Sequence, residues 1–192
     1  MNFNEIKVVN LKNKKQLRTW FINNHKTNND LWIPIKAGKP NNINLSYLDA
    51  IEEALCFGWI DSINKSHPKY GHIVRFTPRR KTTHWTELNK ERCRRLIKLK
   101  KMTRYGMEVL PDLNKEFTIP RCLKNILDKN AQLAHNFYNF PKLYQTIRID
   151  SIYRYKKIDK KLYKKSLTNF IKQTLNNKMY GQWNDYGRLL EK

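Results

Sequence analysis

The chain has 192 residues, with 39 Lys and Arg against 16 Asp and Glu, a net charge of +23 with His neutral. Hydrophobic residues make up 40% and aromatics 12%, enough to build a packed core and to exclude wholesale disorder. Its longest apolar stretch, Ala54 to Ile60, is far below the roughly 18–20 residues of a membrane-spanning helix.

Residues 12–25 read as a helix with Leu17, Trp20 and Phe21 on one face. Leu31 to Lys36 follows as a short strand, and Pro34 makes it an edge strand or a bulged one. The turn-rich stretch Gly38-Lys39-Pro40-Asn41-Asn42 leads into a clearer helix. Ser46 with Asp49 three residues on is a capping signal, and Leu45, Leu48, Ile51 and Leu55 recur at helical spacing. Gly58 supplies the exit. Trp59 to Asn64 and His72 to Thr77 then predict the strands of a hairpin. Period two puts Trp59, Asp61 and Ile63 on one face. If Val74 and Phe76 face the core, Arg75 and Thr77 share the other face, which sets Asp61 near Arg75.

A helix is expected over Thr86 to Lys101, with Leu88, Leu96 and Leu99 inward, and Thr103 caps a shorter one ending near Pro111. The remainder is helical by pattern, with starts at Pro120 and near Pro141. Tyr144, Ile147, Ser151, Tyr155 and Ile158 form one stripe. Tyr163, Leu167, Phe170, Ile171 and Leu175 form another, and Lys160, Lys161, Lys164, Lys165 and Lys172 occupy the rest of that helix. The expected class is α+β: a small antiparallel β-sheet packed with helices, followed by a mostly helical C-terminal region. Residues 1–118 are read as the α+β domain and residues 119–192 as the helical region packed on it.

Residues 1–96 carry 18 basic and 8 acidic side chains and residues 97–192 carry 21 and 8, so the excess is no detachable tail. Two stretches are denser: Arg75 to Arg104 has 12 Lys and Arg, and Arg154 to Lys165 has seven. Such surfaces attract phosphates, nucleic acid or anionic headgroups at low salt. A lysine-rich compositional bias that merely solvates helix faces gives the same counts. Met1 to Glu5 lacks the basic end and apolar core of a secretory signal, and Cys56, Cys93 and Cys122 are odd in number and far apart. Both features lead to the expectation of reduced thiols in a cytoplasmic protein.

The candidate ligand-binding group is the polar set on the hairpin and its exits: Asp61, Arg75, Thr77, Arg79, Trp85 and Asn89, with Glu53 and Trp59 as secondary candidates. Two guanidiniums beside an indole face can cradle a carboxylate or phosphate, because Arg donates a bidentate fork. The competing structural reading is an ion pair, with Trp59 and Trp85 as ordinary core. Glu52 and Glu53 are adjacent, so on a helix they diverge by about 100° and do not form an acid–base pair from one face. Glu53 is expected to look back at the hairpin and Glu52 to be solvated or to pair with a lysine. Cys56 reads as a buried small hydrophobe rather than a nucleophile. The five histidines show no metal-ligand spacing, and no Gly-rich phosphate loop or nucleophile elbow is present. No metal and no cofactor is expected.

Several segments resemble one family, the YdeI/OmpD-associated bacteriocin-protection proteins. Glu52-Glu53-Ala54-Leu55-Cys56-Phe57-Gly58-Trp59-Ile60-Asp61-Ser62 is similar to its EEALCFGWIDS signature and Arg75-Phe76-Thr77-Pro78-Arg79 to its RFTPR. Trp85, Asn89-Lys90-Glu91-Arg92, His25-Lys26-Thr27 and Leu31-Trp32 extend the resemblance over about residues 15–110. Met102-Thr103 and Gly106 match a further segment in part, with Lys101 and Arg104 replacing its glycine and proline. In the C-terminal helices, Ile152 to Lys157 keeps only the basic character of the family's run.

The resemblance implies a bacterial protein contributing to tolerance of bacteriocins or cationic antimicrobial peptides, non-enzymatic by expectation. A +23 protein repels a cationic peptide, so an indirect route through an anionic small molecule or phosphate-bearing ligand, an envelope lipid or a partner fits the charge better than sequestration. Two other readings stay open: nonspecific binding of nucleic acid at low salt, and a small-molecule enzyme using the Asp/Arg/Trp cluster.

Overall fold

Ser46 starts the best-signalled element. Its Oγ accepts the Asp49 N–H at 3.1 Å and donates to Asp49 Oδ2 at 2.5 Å, satisfying a donor that a helix start leaves open. The helix α2 (Tyr47–Cys56) follows, and Gly58 leaves it at φ +74°. That conformation is one that only glycine adopts without strain. The computed structural model describes residues 6–36, 38–40 and 44–191. The N-terminal pentapeptide, together with Asn41 and Asn42 of the turn-rich stretch, lies outside the described residues.

The chain divides into two compact units: residues 1–84 with 92–113, and residues 85–91 with 114–192. The first holds α1 (Lys14–Asn24), β1 (Leu31–Pro34), α2, β2 (Trp59–His67), β3 (Gly71–Pro78) and α4 (Arg104–Glu108). The helix α3 (Glu87–Lys98) starts within the second unit's residues and ends within the first's. The strands form one antiparallel sheet in the order β1-β3-β2. β1 is thus an edge strand, the position in which Pro34 costs least.

In β3, Val74 and Phe76 are buried and Arg75 and Thr77 half-buried, as the alternation requires; Ile73 is buried as well. In β2 the alternation breaks. Asp61 pairs with Phe76 and Ile63 with Arg75, so Ser62 is the extra residue of a bulge. A bulge moves everything beyond it to the other phase, so Trp59, Asp61 and Ile63 do not form the single row that period two predicted. The fully buried Trp59 packs edge-on against Trp20 and Phe21, with ring centroids 5.8 and 5.4 Å away. Phe21 in turn stacks on Phe57.

The second unit contains α5 (Arg121–Asp128), α6 (Ala131–Asn139), α7 (Lys142–Tyr153) and α8 (Lys160–Leu175), with short 3-10 turns at Arg154–Lys156 and Asp185–Leu190. Pro120 and Pro141 stand immediately before α5 and α7. One cluster gathers Leu123, Leu127, Phe137, Ile149 and Phe170; another joins Phe140, Tyr144, Ile147 and Trp183. The buried Asn136 reaches the end of α8, where its Nδ2 donates to the carbonyls of Thr174 (2.9 Å) and Leu175 (3.2 Å).

Two apolar stripes end earlier than periodicity predicted. α7 stops at Tyr153, the chain makes one 3-10 turn, and the N–H groups of Ile158 and Asp159 both return to the Tyr155 carbonyl. Ile158 is therefore 74% exposed rather than inward. Leu99, just past the end of α3, is likewise exposed, whereas Leu96 is buried.

Gly106 of α4 lies against the backbone of Cys56, whose carbonyl a Cβ there would strike. Gly106→Ala sets two effects in opposition. Helix propensity favours Ala by about 1 kcal/mol, and overpacking against a backbone atom that cannot swing aside costs about 1–3 kcal/mol. The clash is expected to prevail, so thermal unfolding of Gly106→Ala should show a lower Tm than the parent protein.

Candidate functional site

The bulge at Ser62 and the exit of β3 open a cleft in the first unit. Its volume is about 620 Å³, and its lining includes Asp61, Ser62, Arg75, Thr77, Arg80 and Thr83. Three of the sequence candidates, Asp61, Arg75 and Thr77, thus line one cleft. Asp61 and Arg75, however, are held by other partners than each other. Tyr47 Oη donates to Asp61 Oδ2 at 2.7 Å, and Arg75 Nε donates to Asp30 Oδ2 at 3.0 Å.

Burial, reinforced by the Asp61 charge, pushes the Tyr47 phenol well above its ordinary range, so it stays a donor at all physiological pH. Asp30 takes only the Nε of Arg75, and the two Nη groups make no hydrogen bond to a described residue. The cleft therefore presents a guanidinium edge, a second guanidinium on Arg80, three hydroxyls and one carboxylate. Cation, hydroxyl and a single acceptor suit an anion that also carries a donor group.

The other candidates are placed differently. Arg79 is buried at 7% exposure; its backbone N–H bonds the Gly58 carbonyl and its Nη1 donates to the His84 carbonyl at 3.2 Å. Burial pulls its pKa down to about 10, against the opposing pull of Cys93 and Asp61. It braces the hairpin exit, and the cleft's second arginine is its neighbour Arg80. Trp85 and Asn89 belong to the second unit, where the Asn89 N–H bonds Thr86 Oγ1 at 3.2 Å. Trp59 is core.

Sequence reasoning passed over Asp30, Tyr47 and Arg80. Asp30 ends a polar run, Asn28-Asn29-Asp30, just before β1, and that run was the available signal.

A second cluster is tighter and drier. Glu52 and Glu53 are 1% and 2% exposed. Arg95 Nη1 meets Glu52 Oε1 at 2.9 Å and Arg18 Nη1 meets Glu53 Oε2 at 2.8 Å. Lys14 Nζ lies 3.3 Å from Glu52, 3.7 Å from Glu53 and 3.9 Å from Asp49. Glu52 is thus buried rather than solvated, though it does take a lysine partner. Glu53 faces α1 rather than the hairpin. Adjacent carboxylates that diverge along the helix still converge on one ammonium because lysine is long and mobile. Three carboxylates meet three cations, an arrangement that suits holding α1, α2 and α3 together.

The buried thiols are inert at neutral pH. Burial pushes Cys56 up to about 11 and Cys93 up to about 12. Among the described residues no three His, Cys, Asp or Glu side chains gather as a metal-binding group.

Fold and cleft define the first unit as a small α+β domain, three antiparallel strands under helices, with an open polar pocket beside a bulged hairpin. Residues 9–109 match the family described as Domain of unknown function (DUF8412), and the chain belongs to that family. The matched span includes every residue lining the cleft and every member of the buried ionic cluster. Neither the curated proteins nor the solved structures contain a match.

Removing one partner from a buried ion pair strands the others, at about 3–5 kcal/mol. Glu52→Gln is therefore expected to lower unfolding free energy by about 3 kcal/mol, read as a shift of the urea midpoint with tryptophan fluorescence. An unchanged midpoint would mean the cluster is not what ties the helices.

Proposed function

We propose that the first unit binds a small phosphate- or carboxylate-bearing molecule in the cleft beside β2 and β3, as a binding module without chemistry of its own. The observation that carries this reading is the open cleft of about 620 Å³ that Asp61, Arg75, Thr77 and Arg80 line together. An anion docks on the Nη edge of Arg75 and on Arg80. The Asp61 carboxylate, oriented by Tyr47, accepts a hydroxyl or amine of the same molecule and selects against bare anions.

Isothermal titration calorimetry with inorganic phosphate, with phosphate monoesters of polyols and with hydroxycarboxylates tests the reading. The Arg75–Asp30 pair is partly exposed and worth about 0–1 kcal/mol, so Arg75→Gln should leave the fold intact. Loss of one charge-assisted contact should weaken binding by about tenfold or more. Heats that do not saturate, or that Arg75→Gln and Arg80→Gln both leave unchanged from the parent protein, would remove the site.

The resemblance of residues 52–62 and 75–79 to the YdeI/OmpD-associated bacteriocin-protection family supports a physiological role in tolerance of antimicrobial peptides, exerted through that anionic ligand. A deletion strain is expected to be more sensitive to cationic peptides and to be rescued by the wild-type gene but not by Arg75→Gln. Equal inhibitory concentrations with and without the gene would separate the chain from this role.

A further inference from the structure

The second unit carries a surface that the cleft does not explain. Between the 3-10 turn and the first two turns of α8, Arg154, Lys156, Lys157, Lys160, Lys161, Lys164 and Lys165 are all exposed. The one acid in that stretch, Asp159, is spent on capping α8, its carboxylate accepting the Leu162 N–H at 2.9 Å. Amid these cations stand two aliphatic side chains facing solvent, Ile158 at 74% and Leu162 at 37% exposure. Ile158 is the most exposed of the large apolar side chains among the described residues. The inner side of α8 is already occupied, with Phe170 buried and Tyr163, Leu167 and Ile171 packed on the helical core. Ile158 and Leu162 are thus left over from the packing of their own unit.

We propose that this corner is a docking surface for an anionic lipid bilayer: the lysines and Arg154 settle among the acidic headgroups while Ile158 and Leu162 enter the acyl boundary. The charge selects the partner's sign. Seven cations in twelve residues concentrate positive potential where a negatively charged membrane surface is attractive within a Debye length. The aliphatic tips select its kind. A phosphodiester backbone offers them nothing, whereas a bilayer removes them from water just below the headgroups. Because the last acidic group is turned into the helix cap, little on this corner repels an anionic surface. The inference is independent of the cleft, which lies in the other unit.

Co-sedimentation of the full chain with vesicles tests it, using phosphatidylcholine alone and equal parts phosphatidylcholine and phosphatidylglycerol. Binding is expected only to the phosphatidylglycerol vesicles and should weaken as salt rises. Ile158→Ser with Leu162→Ser leaves the charge unchanged and, both residues being exposed, leaves the fold unchanged by circular dichroism. It should weaken vesicle binding by about tenfold or more. Lys160, Lys161, Lys164 and Lys165 all replaced by Gln should weaken it by about a hundredfold or more at low salt. Equal binding to both vesicle types, or no effect of the serine pair, would overturn the proposal. So would duplex DNA that binds more tightly than vesicles and ignores the serine pair, since that outcome assigns the corner to nucleic acid.

Discussion

Three carboxylates on one side of α2 lie almost out of water, and the first unit is arranged around keeping them neutralised. A lone buried carboxylate is costly enough to unfold a small domain. Lys14 and Arg18 come from α1 and Arg95 from α3, so one requirement fixes two further helices against α2. Arg18 also reaches the Lys101 carbonyl at 2.9 Å, extending the constraint toward the segment that holds α4. With α1 and α2 fixed, the aromatic cluster of Phe21, Phe57 and Trp59 has a defined place, and Trp59 starts β2.

The cleft follows from what happens two residues later. Asp61, paired with the core-facing Phe76 just before the bulge, reaches Tyr47 at the start of α2, while Arg75, one residue before Phe76, reaches Asp30. Each charged side chain is held by a neighbour outside the hairpin. Held side chains lose less entropy when a ligand arrives, which is what the proposed anion binding would draw on at Arg75. Arg79 acts in the opposite way. Buried and bonded to the His84 carbonyl, it stiffens the exit from which Arg80 projects.

The charge of +23 divides by role. Some cations, such as Arg18, Arg95 and Arg79, are structural and half-buried or buried. Others, from Arg154 to Lys165, stand in solvent beside aliphatic side chains. Counting charges along the chain does not separate the two groups; only burial does.

Elements whose signals are local were legible without coordinates. The Ser46–Asp49 cap acts over three residues, the left-handed exit needs only Gly58, and Pro120 and Pro141 mark helix starts through their own rings. The α+β class and the buried Val74 and Phe76 follow from the same short-range periodicity. Three of the six candidate residues came together because they share one hairpin. Partnership was decided by tertiary structure alone. Arg18 finds Glu53 across 35 residues, Arg95 finds Glu52 across 43 and Arg75 finds Asp30 across 45. A single extra residue in β2 changes which neighbour Ile63 and the residues beyond it face. Residue type and spacing set what a short segment prefers. Which charge meets which is settled by long-range packing, where one bulge or one long side chain redirects a contact that no local pattern encodes.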